Sequence, residues 1–310
     1  VFDVLRGNSP RQLEKLQVVT GDLTKDMLGL SQDSVAQLKD VSVVFHSAAT
    51  LKFNEKLRLA VNLNLQPVIC VLEICDVLPN VLAFIYVSTA YSNSEFSRVE
   101  EKVYPPAMKL ETLMKKLKEG DMDEEKLAEF IFPKLNTYIF SKAMAEHVIA
   151  QHKNKGYSSA IFRPSIVVSS LHHPTPGWIE NLNGPSGVIV FTGKGFLRVM
   201  RSNSSMVGDM IPVDIAVDTM IGVAWETALQ QSSSVRVYNC TSTENPMTWG
   251  EFKNYLNKYL REYPLENAFW VPALRDVHNA FLYNIQEVLL QTIPLYSIWY
   301  FMKLFGYKTR

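Results

Sequence analysis

VSVVFHSAAT, residues 41–50, is a run of β-branched and aromatic residues that gives way to small and polar ones. LAFIYVSTAY (82–91) has the same form, and the residues from about 54 to 78 between them carry a helical pattern. Similar apolar runs occur at LQVVTGDL (16–23), SSAIFRPSIVV (158–168) and SVRVYNCTS (234–242). Strands alternating with helices predict an α/β fold with a parallel sheet covered on both faces. In such sheets a ligand sits beyond the carboxyl ends of the strands. The informative residues are therefore those after each run: Gly21 and Asp22, His46 to Ala49, Ser88 and Thr89, and Arg163 to Ser165.

The chain has 310 residues, 47% of them hydrophobic, enough for one large core or one and a half. Lys plus Arg and Asp plus Glu both number 31, so no basic surplus recommends a nucleic-acid partner. Three cysteines, Cys70, Cys75 and Cys240, have no metal-ligand spacing, which predicts buried free thiols in a reducing compartment and no metal site. The sequons at Asn203 and Asn239 are discounted on the same ground: an intracellular, non-secreted chain is expected. It begins at Val1 with no initiator methionine, signal peptide or basic presequence, as a chain cut from something longer does.

Between Glu95 and Pro133 lies an insertion in which 9 of the 12 residues from Lys115 to Lys126 are charged, the composition of a solvated surface helix. Residues 171–195 are rich in Pro, Gly and Asn and read as a loop that could cap a pocket. NPMTWGEFKNYLNKYL (245–260) reads as a helix entered through Thr248, with Glu251 completing a capping box. The apolar tail after Asn279 contains 15 residues without a charge, from Val288 to Met302, short of the roughly 20 that span a bilayer. A helix packed on the core is the expectation there; a membrane-surface element or an acyl-tunnel wall are the alternatives.

NTYIFSKAMAE (136–146) places Tyr138 four residues before Lys142, on one helical face. The helix is expected to run to about 154. An ammonium close to a phenol favours the phenolate, which would draw the Tyr138 pKa down from about 10 and make it a general acid; spacing alone equally allows a half-buried ring beside a solvated lysine.

Together GDLT, VVFHSAAT, LRLAVNLN, YVSTAY, EEKVYPP, NTYIFSKAMAE, RPSIV, PGWIENLNGPSG, DMIPVD and NPMTWGE closely resemble the alcohol-forming fatty acyl-CoA reductases, extended short-chain dehydrogenase/reductases, from about Gly21 to Pro264. The resemblance implies a Rossmann-like, doubly wound parallel sheet with its first βαβ unit missing. It implies a reductase domain over 1–245, and the start of a mainly helical C-terminal part over 246–310. It implies reduction of long-chain acyl-CoA by NADPH to a primary alcohol through an aldehyde. Tyr138 would protonate the carbonyl oxygen, Lys142 would bond the nicotinamide ribose, and Thr89 would orient the carbonyl, with Ser88 its nearest rival. Asp22 and Leu23 would meet the adenine, Ala48 and Ala49 the phosphates and ribose, and Pro164, Ser165 and Val167 the nicotinamide, while Asn64 braces the site. Peripheral or tail-anchored membrane association, facing the cytosol on peroxisome, endoplasmic reticulum or lipid droplet, is also implied.

Two departures stand out. No Gly-x-x-Gly-x-x-Gly turn precedes GDLT, and Pro67 stands where the family commonly has glycine, so the helix should kink or begin there. A reductase or epimerase of another small molecule, and a non-catalytic lipid-binding form, are the rival readings. PGWIENLNGPSG argues against the first; intact Thr89, Tyr138 and Lys142 argue against the second.

Overall fold

A computed structural model describes residues 2–120, 123–153 and 156–305. Its strands are β1 (Val43–His46), β2 (Ala83–Val87), β3 (Ser158–Pro164), β4 (Ile166–Val168), β5 (Val199–Met200), β6 (Met210–Pro212), β7 (Arg236–Cys240) and β8 (Arg275–Asp276). The α-helices are α1 (Asp3–Asn8), α2 (Gln32–Ala36), α3 (Leu57–Asn64), α4 (Gln66–Val77), α5 (Leu110–Glu119), α6 (Glu124–Ile131), α7 (Thr137–Gln151), α8 (Pro185–Gly193), α9 (Val213–Gln230), α10 (Trp249–Glu262), α11 (Ala280–Glu287) and α12 (Ile293–Leu304). They form two compact units: residues 1–165 with 214–241, and residues 166–213 with 242–310. The sequence boundary at 245 falls beside the last crossover between them, but 166–213, read with the first part, packs with the second.

The first unit is built on a four-stranded, all-parallel sheet in the order β1-β2-β3-β7. In β2 the four residues from Ala83 to Tyr86 are all buried, which requires cover on both faces. Phe84 and Tyr86 join a core with Val61, Val68, Leu72, Phe140, Met144 and Ile149, placing α3, α4 and α7 on one face. On β7, Val237 faces that core, whereas Arg236 and Tyr238 point the other way and meet Glu226 of α9. Helices therefore lie on both faces, the doubly wound arrangement expected. The apolar 57–77 stretch, long enough by composition to cross a membrane, is mostly buried inside this fold.

Several sequence expectations are corrected. Residues 16–22 form no strand: a strand needs a ladder partner, none runs beside them among the described residues, and Val18 is 91% exposed. The helix expected over 54–78 is two helices that part at Leu65, with Pro67 in the first turn of the second, where its missing N–H costs no bond. The strand expected over 158–168 divides at Ser165, whose N–H still bonds the Cys240 carbonyl of β7, whereas Ile166 bonds Asp209 and begins a ladder with β6 in the second unit. The charged block is two helices, α5 ending at Glu119 with Gly120 as its C-cap, and α6 capped by Asp123; Asp121 and Met122 lie outside the described residues. α7 ends at Gln151, and Asn154, where it was expected to stop, is outside them too.

In the second unit the presumed loop over 171–195 holds α8. Pro185 occupies its first turn, and Gly187 sits so close to the Leu182 carbonyl that no Cβ would fit. The capping box is present: Thr248 Oγ1 accepts from Glu251 N, and the Glu251 carboxylate accepts from Thr248 N. Phe252, Leu256 and Leu260 of α10 anchor this unit's core with Met210 and Leu274. The tail is helical but not packed on the core as expected: Gln291 is the sole buried residue among described positions 280–305. It sits in a π-helical turn, and its side-chain carbonyl accepts from Arg198 N and Val199 N at 2.7 and 2.8 Å, so a polar pin holds the tail.

Phe84, fully buried at the centre of the sheet, makes Phe84→Ala a cavity-forming change. A loss of about 3–5 kcal/mol is expected in urea denaturation. A loss under about 1 kcal/mol would remove Phe84 from the core.

Candidate active site

The carboxyl ends of β1, β2 and β3 lie side by side, and α7 begins beside them. Asn136 caps α7, accepting from Ile139 N at 2.9 Å. Thr137 Oγ1 then lies within hydrogen-bonding distance of two carbonyls of the preceding loop, Phe53 at 3.0 Å and Glu55 at 2.9 Å. That seats the Phe53 ring against Tyr138, centroids 5.5 Å apart. The Tyr138 hydroxyl bonds no described residue.

One turn on, Lys142 is buried, and its ammonium donates to the Val87 carbonyl at 2.7 Å while lying 4.9 Å from the Tyr86 ring centroid. Burial draws its pKa down to about 8, opposed by the charge of Glu146. Tyr138 moves opposite to the sequence expectation. Burial pushes it up to about 12, because desolvation disfavours the phenolate. The phenol therefore holds its proton through the neutral range.

The loop after β2 is tied to β3: Ser88 N donates to Phe162 O at 2.7 Å and Ala90 N to Pro164 O at 2.9 Å. This fixes Thr89, whose buried hydroxyl oxygen accepts from Tyr91 N at 3.3 Å, leaving its own hydrogen to donate. Ser88 differs. Its hydroxyl donates to the buried Glu146 carboxylate at 2.5 Å, so its hydrogen is already placed.

Asn64 is buried where α3 ends. It accepts from Thr50 N at 2.8 Å and donates to Ser141 Oγ at 3.0 Å, binding the loop after β1 to α7. Ala48 and Ala49 stand at the start of that loop, Ala48 exposed and Ala49 half-buried. Asp22 accepts from Thr24 N and Oγ1 at 2.9 and 2.7 Å, and those bonds hold its carboxyl below the usual range; Leu23 follows in the turn. Pro164 and Ser165 are buried at the end of β3, and the Ser165 hydroxyl is without a partner among the described residues. Val167 lies in β4 of the second unit and is 40% exposed.

Sequence reasoning missed Glu146, Ser92 and the role of Arg163. Glu146 accepts from Ser88, from Ser92 at 3.0 Å, and from Arg163 Nε and a terminal guanidinium nitrogen at 2.9 and 2.6 Å. The available signal was charge inside apolar stretches: Lys142 and Glu146 four apart in α7, and Arg163 in SSAIFRP.

Residues 1–220 match the NAD-binding family described as male sterility protein. The chain belongs to that family. Fatty acyl-CoA reductase 1 of Xenopus laevis is 38% identical over 308 residues, covering 96% of this chain and 59% of that protein. Its Rattus norvegicus counterpart is 36% identical, covering 99% and 60%, and fatty acyl-CoA reductase 2 of Bos taurus 32%, covering 100% and 61%. The chain thus spans about three fifths of the length of these curated relatives. Among solved structures, the reductase domain of a nonribosomal peptide synthetase from Mycobacterium tuberculosis superposes with a TM-score of 0.61 at 16% identity, covering 92% of this chain and 62% of that one. A UDP-glucuronic acid 4-epimerase from Bacillus cereus, in complex with NAD, gives 0.56 at 18% identity, covering 89% and 74%. These show the fold, a Rossmann-like parallel α/β sheet.

This male sterility protein family member is thereby expected to take a nicotinamide cofactor, and the donor set fits one. The unpartnered Ser165 hydroxyl, the Thr89 hydroxyl and a buried ammonium with two N–H groups beyond its Val87 bond suit the ribose and carboxamide of such a group.

His46, buried at the end of β1 and stacked on Tyr86 at 5.9 Å, has its pKa drawn down to about 4 by burial and by Lys142. Between pH 6.5 and about 4 the unfolded chain therefore binds more protons, and stability is lost as pH falls. Replacing His46→Phe should flatten the acid side of the stability–pH curve by about 3 kcal/mol over that window. An unchanged slope in chemical denaturation would contradict it.

Proposed function

We propose that the chain is the reductase part of an NADPH-dependent, alcohol-forming fatty acyl-CoA reductase. The observation that carries this reading is the α7 pair: Lys142 anchored on the Val87 carbonyl, with Tyr138 protonated, and bonded to no described residue, one turn before it. The similarity to the fatty acyl-CoA reductases supports the substrate class.

A bound NADPH would supply hydride to the carbonyl carbon of the acyl group. Thr89 donates a hydrogen bond to the carbonyl oxygen and sets its orientation. As that oxygen becomes an alkoxide, Tyr138 hands it the phenolic proton, and the nearby Lys142 ammonium stabilises the phenolate left behind. In the first reduction the hydroxyl of the resulting hemithioacetal returns its proton to the Tyr138 phenolate as the C–S bond breaks, which releases CoA thiolate, leaves an aldehyde and restores the phenol. Reduction of the aldehyde would take its hydride from a second NADPH and repeats the proton transfer, and the alcohol leaves. Lys142 would also hold the nicotinamide ribose, Pro164 and Ser165 the nicotinamide, Ala48 and Ala49 the phosphates and ribose, and Asp22 and Leu23 the adenine. Asn64 keeps the helix and the loop after β1 in register.

We also infer peripheral association with a cytosol-facing membrane. Phe281, Leu289, Tyr296, Tyr300 and Phe301 of the tail are all more than half exposed, and rings with polar edges suit a headgroup interface. The peroxisome, endoplasmic reticulum and lipid droplet are the candidates.

Loss of the proton donor in Tyr138→Phe should lower acyl-CoA turnover by about 10²–10⁴ and leave NADPH affinity within a few fold. Turnover above half of wild type would sink the assignment. Lys142→Ala should lose cofactor affinity as well as rate. Unchanged NADPH binding by calorimetry in that variant would rule out the ribose contact.

A further inference from the structure

Among the ion pairs of the described residues, Glu146 and Arg163 form the most deeply buried, with side chains 2% and 0% exposed. A buried ion pair is weak evidence of stabilisation, since apolar residues of the same volume often serve as well. Here the pair does more than neutralise itself. The Glu146 carboxylate takes two bonds from Arg163 and one each from Ser88 and Ser92, three of the four converging on Oε1 and one on Oε2. Arg163 gives two further N–H bonds, to the Glu100 and Lys102 carbonyls at 3.1 and 2.9 Å.

Two consequences reach the catalytic groups. Glu146 lies four residues after Lys142 on α7, so its negative charge stands one turn from the ammonium. Ser88 sits between Val87, whose carbonyl receives Lys142, and Thr89. Holding the Ser88 side chain thus holds both neighbours. The other titratable groups facing Lys142 are neutral across the working range: Tyr138 on its own helix, His46 from β1 and Tyr86 from β2. Glu146 is the negative charge that offsets the burial of the ammonium.

We propose that Glu146, clamped by Arg163, is the positioning residue of this site: it retains the charge on Lys142 and, through Ser88, fixes the strand end that presents Val87 and Thr89. The roles of Lys142 and Thr89 rest on the function proposed above; the electrostatic coupling does not.

The test follows the Lys142 ε-amine directly, by ¹³C NMR of lysine-labelled full chain without cofactor, assigned through Lys142→Arg. In Glu146→Gln the Lys142 titration midpoint should fall by one pH unit or more, tenfold in the protonation constant. In Ser88→Ala, which keeps both charges, the midpoint should stay within about 0.3 units while kcat for acyl-CoA falls at least tenfold with KM nearly unchanged. Ser88→Thr should restore most of it. An unmoved midpoint in a folded Glu146→Gln overturns the coupling. If that variant does not fold, Arg163→Lys, which keeps the charge but not the two-bond clamp, takes its place, and a wild-type kcat in both Arg163→Lys and Ser88→Ala overturns the clamp. A chain that shows the titration shift yet reduces no acyl-CoA refutes the proposed function and leaves the coupling standing.

Discussion

A helix buried along most of its length cannot carry a charge without a partner, and α7 carries two. Lys142 and Glu146 both lie in its buried stretch, among Phe140, Met144 and Ala145. Each is satisfied by the sheet. Lys142 bonds the end of β2, and Glu146 bonds the end of β3 and the loop that follows β2. Those demands fix the rotation and height of α7 against the strands, and so fix where Tyr138 stands. A lone buried polar group costs about 1–3 kcal/mol, more for a charge, so the helix has no cheap alternative seating.

The parallel sheet makes this possible because its strands all end on one side. Loops leaving β1, β2 and β3 are cross-tied by Asn64, Ser88, Ala90 and Glu146, so the first unit's small polar residues are held by backbone and buried side chains and not by solvent-exposed contacts. Preorganised donors of this kind need little rearrangement when charge develops on a substrate oxygen. Beyond Ser165 the chain leaves for the second unit, and the site residues of the first unit stop there.

Much of the candidate site was legible. Thr89, Tyr138 and Lys142 could be picked out because they follow apolar runs or share a helical face, and both features depend on local spacing. The capping box at Thr248 was visible for the same reason, whereas Asn64 was named only through the family resemblance. The Glu146–Arg163 pair was not. It joins residues 17 positions apart through two separate elements, and a charged letter in an apolar segment says only that a partner exists, not which one. The direction of the Tyr138 shift was also misread, because spacing supplies proximity to a cation but not the depth of burial that outweighs it.

The sequence by itself determined the alternation of strands and helices, the parallel sheet, and the pair on α7, since each follows from periodicity along a contiguous stretch. Only the tertiary structure decided which apolar runs became strands. Residues 16–22 found no ladder, and 158–168 was divided between two sheets. It also decided that the tail would show its aromatic residues to solvent while a single glutamine was pinned. Backbone pairing and burial are satisfied between distant segments, and a local pattern can state the need for a partner without naming it.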